Sequence, residues 1–142
     1  MDNLIQYILA AYNATGSIPE GQDEPAPTAI QQSAPGGMWL SRAPETVRGT
    51  FITFTIVSSA ESHAMGTGVS TADVQVQFNV CAPDTASNAV TAANDLRTLL
   101  LDQVDTAGNI RYARTLDAGV LEKDPDSLGY IYRIVFRFII GI

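Results

Sequence analysis

Catalytic and metal-binding residue types are scarce in this 142-residue chain, which has one cysteine, one histidine and one tryptophan. With Cys81 alone, no intrachain disulfide can form, and nothing argues for an oxidising compartment. His63 has no second histidine and no cysteine pair to complete a zinc ligand set, so it reads as a surface residue of a Ser/Gly loop. Its neighbours Glu61 and Ser62 are too close in sequence to specify a hydrolase triad, and no nucleophile elbow occurs. Charge is also sparse: charged residues make up 16%, against about 25% in an average globular chain. Such a shortfall suits a subunit that buries much of its outside in an assembly. Eight basic residues against fifteen acidic ones give a net charge of -7. The basic residues are scattered, which argues against tight binding to nucleic acid or an anionic membrane. No apolar run approaches the ~18 residues needed to cross a bilayer. Met1-Asp2 opens no secretory signal, and the expectation is a soluble protein made inside the cell.

Other candidate motifs are weak. Gly66-Thr67-Gly68 lacks the remaining glycines or the Gly-Lys-Ser/Thr of a phosphate loop. Glu122 with Asp124-Pro125-Asp126 lacks the closing glutamate of a calcium loop and reads as a tight turn. No cofactor or metal is expected, and the chain is not expected to be an enzyme.

What is present is alternation. From Ala72 to Cys81, Val74, Val76, Phe78 and Val80 share one face of an extended strand, and Asp73, Gln75, Gln77 and Asn79 share the other. The apolar face needs a cover. The polar face is almost uncharged, unlike the Lys/Glu-rich surface of most exposed sheets, and suits contact. Thr50 to Ser58 reads as the preceding strand, with Ile52, Phe54 and Ile56 set against Thr53, Thr55 and Val57. A Ser/Gly-rich connection at 59–71 would make the two an antiparallel hairpin. A helix follows over about 84–103, opened by Pro83-Asp84, with Ala86, Ala89, Val90, Ala93, Leu96 and Leu100 as its buried stripe. Residues 110–121 form a weaker strand with a bulge or bend at Gly119. Ser127 to Ile140 is the longest strand. Tyr130, Tyr132, Ile134, Phe136, Phe138 and Ile140 share one face, and Ile131, Arg133, Val135, Arg137 and Ile139 share the other.

At the N-terminus Leu4, Ile5, Ile8, Leu9 and Tyr12 fall on one helical face behind Asp2, with Asn13 and Gly16 as stop signals. Five of the seven prolines lie in residues 16–49, where no period survives. Trp39, in its middle, either plugs the core from outside or anchors a partner. The expectation is one domain over 1–142: an N-terminal helix (1–13), a long Pro/Gly-rich loop (14–49) and a ββαββ core (50–142). The fold class expected is α+β, a single antiparallel four-stranded sheet covered on one face by helices, in the order α-loop-β-β-α-β-β. Arg133 and Arg137, about 13 Å apart on one strand face, either pair with carboxylates such as Asp73 or contact a partner. Cys81 falls on the polar side at a strand end as a half-exposed thiol.

Taken in this order, the chain resembles the phage tail-completion (tail-terminator) family of head–tail joining neck proteins. The likeness rests on the short N-terminal helix, the loop to Arg42-Ala-Pro44, and the strands Thr50-Phe-Ile-Thr-Phe54 and Val74-Gln-Val-Gln-Phe78. It continues through the alanine-rich helix closing on Leu96-Arg97-Thr-Leu99-Leu100 to the final Gly129-Tyr130-Ile-Tyr132-Arg-Ile-Val-Phe136-Arg-Phe138 strand. Residues 16–40 depart from the compact loop of that family. The resemblance implies a ring, usually a hexamer, at the head-proximal end of the tail tube of a virion assembled in the host cytoplasm. Its partners would be further copies of itself, the tail tube protein and the head-side connector or stopper, with DNA passing through the lumen without sequence-specific binding and no membrane involved. Thr53, Thr55, Gln75, Gln77, Asn79, Arg133 and Arg137, with Trp39 and His63, are the expected subunit or partner surface. The alternatives are another neck or minor tail protein on a related fold, or a non-viral small binding module.

Overall fold

A computed structural model describes residues 2–14, 18, 20–44, 46–63, 70–101, 110–116, 119–123 and 129–141. In chain order the elements are helix α1 (Asp2–Tyr12), helix α2 (Ala29–Ser33), strand β1 (Met38–Leu40), strands β2 (Phe51–His63) and β3 (Ser70–Ala82), helix α3 (Ala86–Leu100), and strands β4 (Ile110–Thr115), β5 (Val120–Lys123) and β6 (Tyr130–Gly141).

Strict alternation makes β3 the centre of the sheet. Val74, Val76, Phe78 and Val80 are all fully buried, and β3 is paired antiparallel along its length to β2 on one side and β6 on the other. The buried face carries a chain of rings. Phe54 and Phe78 stack at 5.7 Å, Phe78 meets Phe136 edge-on at 5.3 Å, and Phe136 stacks on Phe138 at 6.0 Å. Each such side chain contributes about 1.5–3 kcal/mol by leaving water.

The cover for this face comes from the helices, whose buried residues join the same core. Thr85 caps α3, its hydroxyl accepting from the Asn88 amide at 3.2 Å, so the helix begins two residues after the expected Pro83-Asp84. Its buried stripe is Ala89, Ala92, Ala93, Leu96 and Leu100. Val90, expected in that stripe, is exposed, and Ala92 takes its place. Small residues let the helix axis lie close on the sheet. From α1, Leu4 and Ile8 enter the core. The Gln31 amide closes the end of α1 by donating to the carbonyls of Tyr12 (2.7 Å) and Ala14 (3.1 Å). The expected stop at Gly16 lies outside the described residues.

The four-stranded antiparallel sheet expected from sequence is wrong. The sheet is mixed and has six strands, in the order β1-β2-β3-β6-β4 with β5 also on β6, although α+β remains the broad class. Two causes account for the difference. The segment expected to be a loop contains α2 and β1. Strand β1 is only three residues long, too short for a period to show, and pairs in parallel with β2. Its docking uses main-chain bonds from Gly36 to the Thr50 carbonyl (2.8 Å) and from Ile52 to the Gly37 carbonyl (2.9 Å). Gly36 is required there, because a Cβ would stand 2.8 Å from both Phe51 Cβ and the Thr50 oxygen.

The second cause is Gly119. It breaks the expected 110–121 strand into β4 and β5, which lie one after the other along the same side of β6. With φ at +88°, Gly119 sits so close to Tyr132 that a Cβ would fall 2.3 Å from its ring. Arg97 of α3 donates to the Tyr132 hydroxyl at 3.0 Å and lies over its ring at 5.3 Å.

The β2–β3 ribbon is also longer than expected, since pairing continues to His63 and Ser70. A register shift between Ile56 and Ser58 lets the ladder run on after the apolar alternation ends. Gly66-Thr67-Gly68 and the turn at Asp124-Pro125-Asp126 lie outside the described residues.

Candidate functional site

Opposite the helices, the sheet keeps one face uncovered among the described residues. Register brings most of the sequence-derived contact residues together there. Trp39, Thr53, Asn79 and Arg133 form one row across four strands, Thr55 and Gln77 the next with Val135, and Gln75 and Arg137 a third with Ser58. All except the exposed Arg133 and Ser58 are half-buried, as central positions of an open sheet face are. His63 does not join them. It ends β2 opposite Ser70, five residues beyond Ser58, or about 17 Å at strand rise.

The two arginines have partners within the chain. Arg137 forks onto Asp73, Nε donating to Oδ1 and Oδ2 at 3.0 Å each and Nη2 to Oδ2 at 2.6 Å. Arg133 Nη1 donates to Glu122 Oε2 of β5 at 2.8 Å. The forked Arg137 geometry holds β6 to β3 across the open face. Its side chains are about 40% exposed, so its net stabilisation is modest. The Gln77 amide donates to Asn79 Oδ1 at 3.1 Å. The face thus presents amides and hydroxyls over β2 and β3, ion pairs from β6 to β3 and β5, and on β6 Val135 between the two arginines with Ile131 and Ile139 flanking them.

Trp39 neither plugs the core nor stands free. Its indole nitrogen donates to the Gly36 carbonyl at 2.8 Å, and its half-buried ring borders a depression with Leu9, Tyr12, Met38 and Leu40. Cys81 is half-buried on the open side, in a depression of about 200 Å³ with Phe51, Pro83, Tyr130 and Ile131. Tyr12 donates its hydroxyl to the Ala34 carbonyl at 2.7 Å. Burial pushes its pKa above the ordinary 10.0, partly opposed by a hydrogen bond from the Gly37 backbone. Among the described residues, no group of three or more His, Cys, Asp or Glu side chains is placed to hold a metal ion, and no helix is long and apolar enough to cross a membrane.

Sequence reasoning did not mark the rims of the sheet. Leu40 and Val57 are exposed on the β1–β2 rim, and Leu116, Val120 and Leu121 on the β4–β5 rim. For Val57 the signal was present, since alternation puts it with Thr53 and Thr55 rather than with the core. The other four depend on knowing which strands are outermost.

The fold is therefore that of a helix-covered mixed sheet that, among the described residues, has one open face and two rims with no further strand. No family model and no curated protein matches the sequence. Among solved structures, the fold is similar to that of a chain from the virion of a native gene transfer agent (GTA) particle. The TM-score is 0.62 at 16% identity, over 82% of this chain and 87% of that one. At that identity the likeness is one of fold.

Proposed function

We propose that this chain is a structural virion protein of a tailed phage or a phage-derived particle. Copies of it form a ring, a hexamer by family resemblance, at the head-proximal end of the tail tube. The ring ends tube growth and joins the tail to the head-side connector. The observation that carries this reading is the fold similarity to a chain of a gene transfer agent virion across most of both chains. The open face supports it. A face of amides, hydroxyls and internally paired arginines offers little to hold a phosphate backbone, and with a net charge of -7 it suits a lumen through which DNA slides. No catalytic step is assigned to the chain.

Imaging of purified protein mixed with tail tubes tests the reading. Rings seated on one end of each tube, and overlong tubes in particles lacking the protein, are the expected results. Tubes of normal length joined to heads in its absence would overturn it. Rings that bind the head connector but ignore tubes would move the chain to another station in the neck.

A further inference from the structure

Five of the seven large hydrophobic side chains exposed among the described residues lie on the two outer rims of the sheet. On one rim are Leu40 (44% exposed) and Val57 (51%). On the other are Leu116 (48%), Val120 (52%) and Leu121 (41%). Soluble proteins normally blunt bare strand edges with charge, proline or a covering element. Here β5 is exposed at all four positions, and no described strand pairs with the outer side of β2 beyond Phe54.

The two rims match in height and in direction. Leu40 is level with Phe54, Phe78 and Ile134, and Val120 with Arg133, one residue lower on β6. Leu116 donates its amide to the Val135 carbonyl at 2.8 Å. Val135 is level with Gln77 and Thr55, two residues from Val57. Strands β1 and β2 run parallel to β6, whereas β4 and β5 run against it. A rotation about an axis along the strands, with no slide, therefore sets β1–β2 of one copy antiparallel to β4–β5 of the next. Leu40 then comes opposite Val120 and Leu121, and Val57 opposite Leu116.

We infer that the partner of each rim is the opposite rim of a second copy of this chain, joined edge to edge by antiparallel strand addition. The contact is heterologous, so each copy uses both rims, and repetition about one axis closes a ring. Main-chain bonds along the edges supply affinity, and the two apolar steps set the register. The inference gives the ring of the proposed function its subunit contact and rests on that reading for its biological setting.

Sedimentation velocity of the full chain tests it with Val57→Lys, which blocks one rim, and Leu116→Lys, which blocks the other. Val120→Lys replaces the second should that variant lose its helical circular dichroism. The wild type is expected as a closed oligomer and each variant as a monomer. An equimolar mixture of the two variants is expected to stop at dimers, because only one intact pair of rims remains. A variant that assembles like the wild type, a mixture that stays monomeric or regains the full assembly, or a wild type that is itself monomeric would overturn the edge contact. Tube capping is read separately. Edge-joined oligomers that leave tube ends uncapped keep the contact and remove the tail reading. Capping by Val57→Lys equal to that by wild type does the reverse.

Discussion

The centre and the rim of this sheet are held by different physics. Strand β3 has a neighbour on each side and helices over one face, and its Val74, Val76, Phe78 and Val80 are entirely removed from water. Among the described residues, the rim elements β1, β4 and β5 have a strand on one side only. Besides the few side chains they bury, Met38, Ile110 and Ala113, what fixes them is a small set of specific contacts: a glycine where two backbones approach and an arginine over a tyrosine ring. The centre would hold its place with many apolar sequences of the right volume. The rim depends on single groups, and among the described residues it leaves apolar side chains exposed.

That contrast can be broken most strongly at the centre. Phe78→Ala removes the ring that links Phe54 to Phe136 and is expected to cost about 3–5 kcal/mol. The measurement is chemical denaturation, and a loss under about 1 kcal/mol would mean the core is less continuous than its rings suggest. On the rim, Gly119→Ala combines a positive φ with a Cβ that would clash with the edge of the Tyr132 ring. The expected cost is about 1–3 kcal/mol. Faster amide exchange should be concentrated in β4 and β5, with β3 little changed. Uniform acceleration across the sheet would contradict the division between centre and rim.

The smallest effect is expected where α1 meets the rim. Tyr12→Phe removes the shorter of two hydrogen bonds to the buried Ala34 carbonyl, the Gly37 amide remaining at 3.2 Å, and should cost about 1 kcal/mol or less. It also carries a pH signature. Burial raises the phenol's pKa in the folded chain, so its contribution is fully present below the unfolded value of about 10 and is lost as pH rises through the folded value. Stability of the wild type should therefore fall more steeply above pH ~10 than that of Tyr12→Phe. Parallel alkaline curves for the two proteins would remove Tyr12 from that role.

The strands β2, β3 and β6 and the helix α3 were legible because each is long enough to show its period. Alternation also assigned the faces of β3 and β6 correctly, and with them the polar row of Gln75, Gln77 and Asn79. The rest was not legible, for physical reasons. Strand β1 is three residues whose only claim to be a strand is its bonding to β2, so local pattern carries no signal of it. Val90 lies at helical spacing for burial, yet the sheet beneath α3 receives Ala92 instead. The fork from Arg137 to Asp73 joins residues 64 positions apart and could be offered from sequence only as one of two readings for that arginine.

By itself, then, the sequence determined which face of each long strand leaves water, because side-chain polarity and backbone period act over a few residues. Only the tertiary structure decided which strands stand at the rim, which heights their exposed side chains share, and whether the open face keeps its charges for itself. Those depend on register and strand order. Both are set by pairing between distant segments, and no local pattern encodes them.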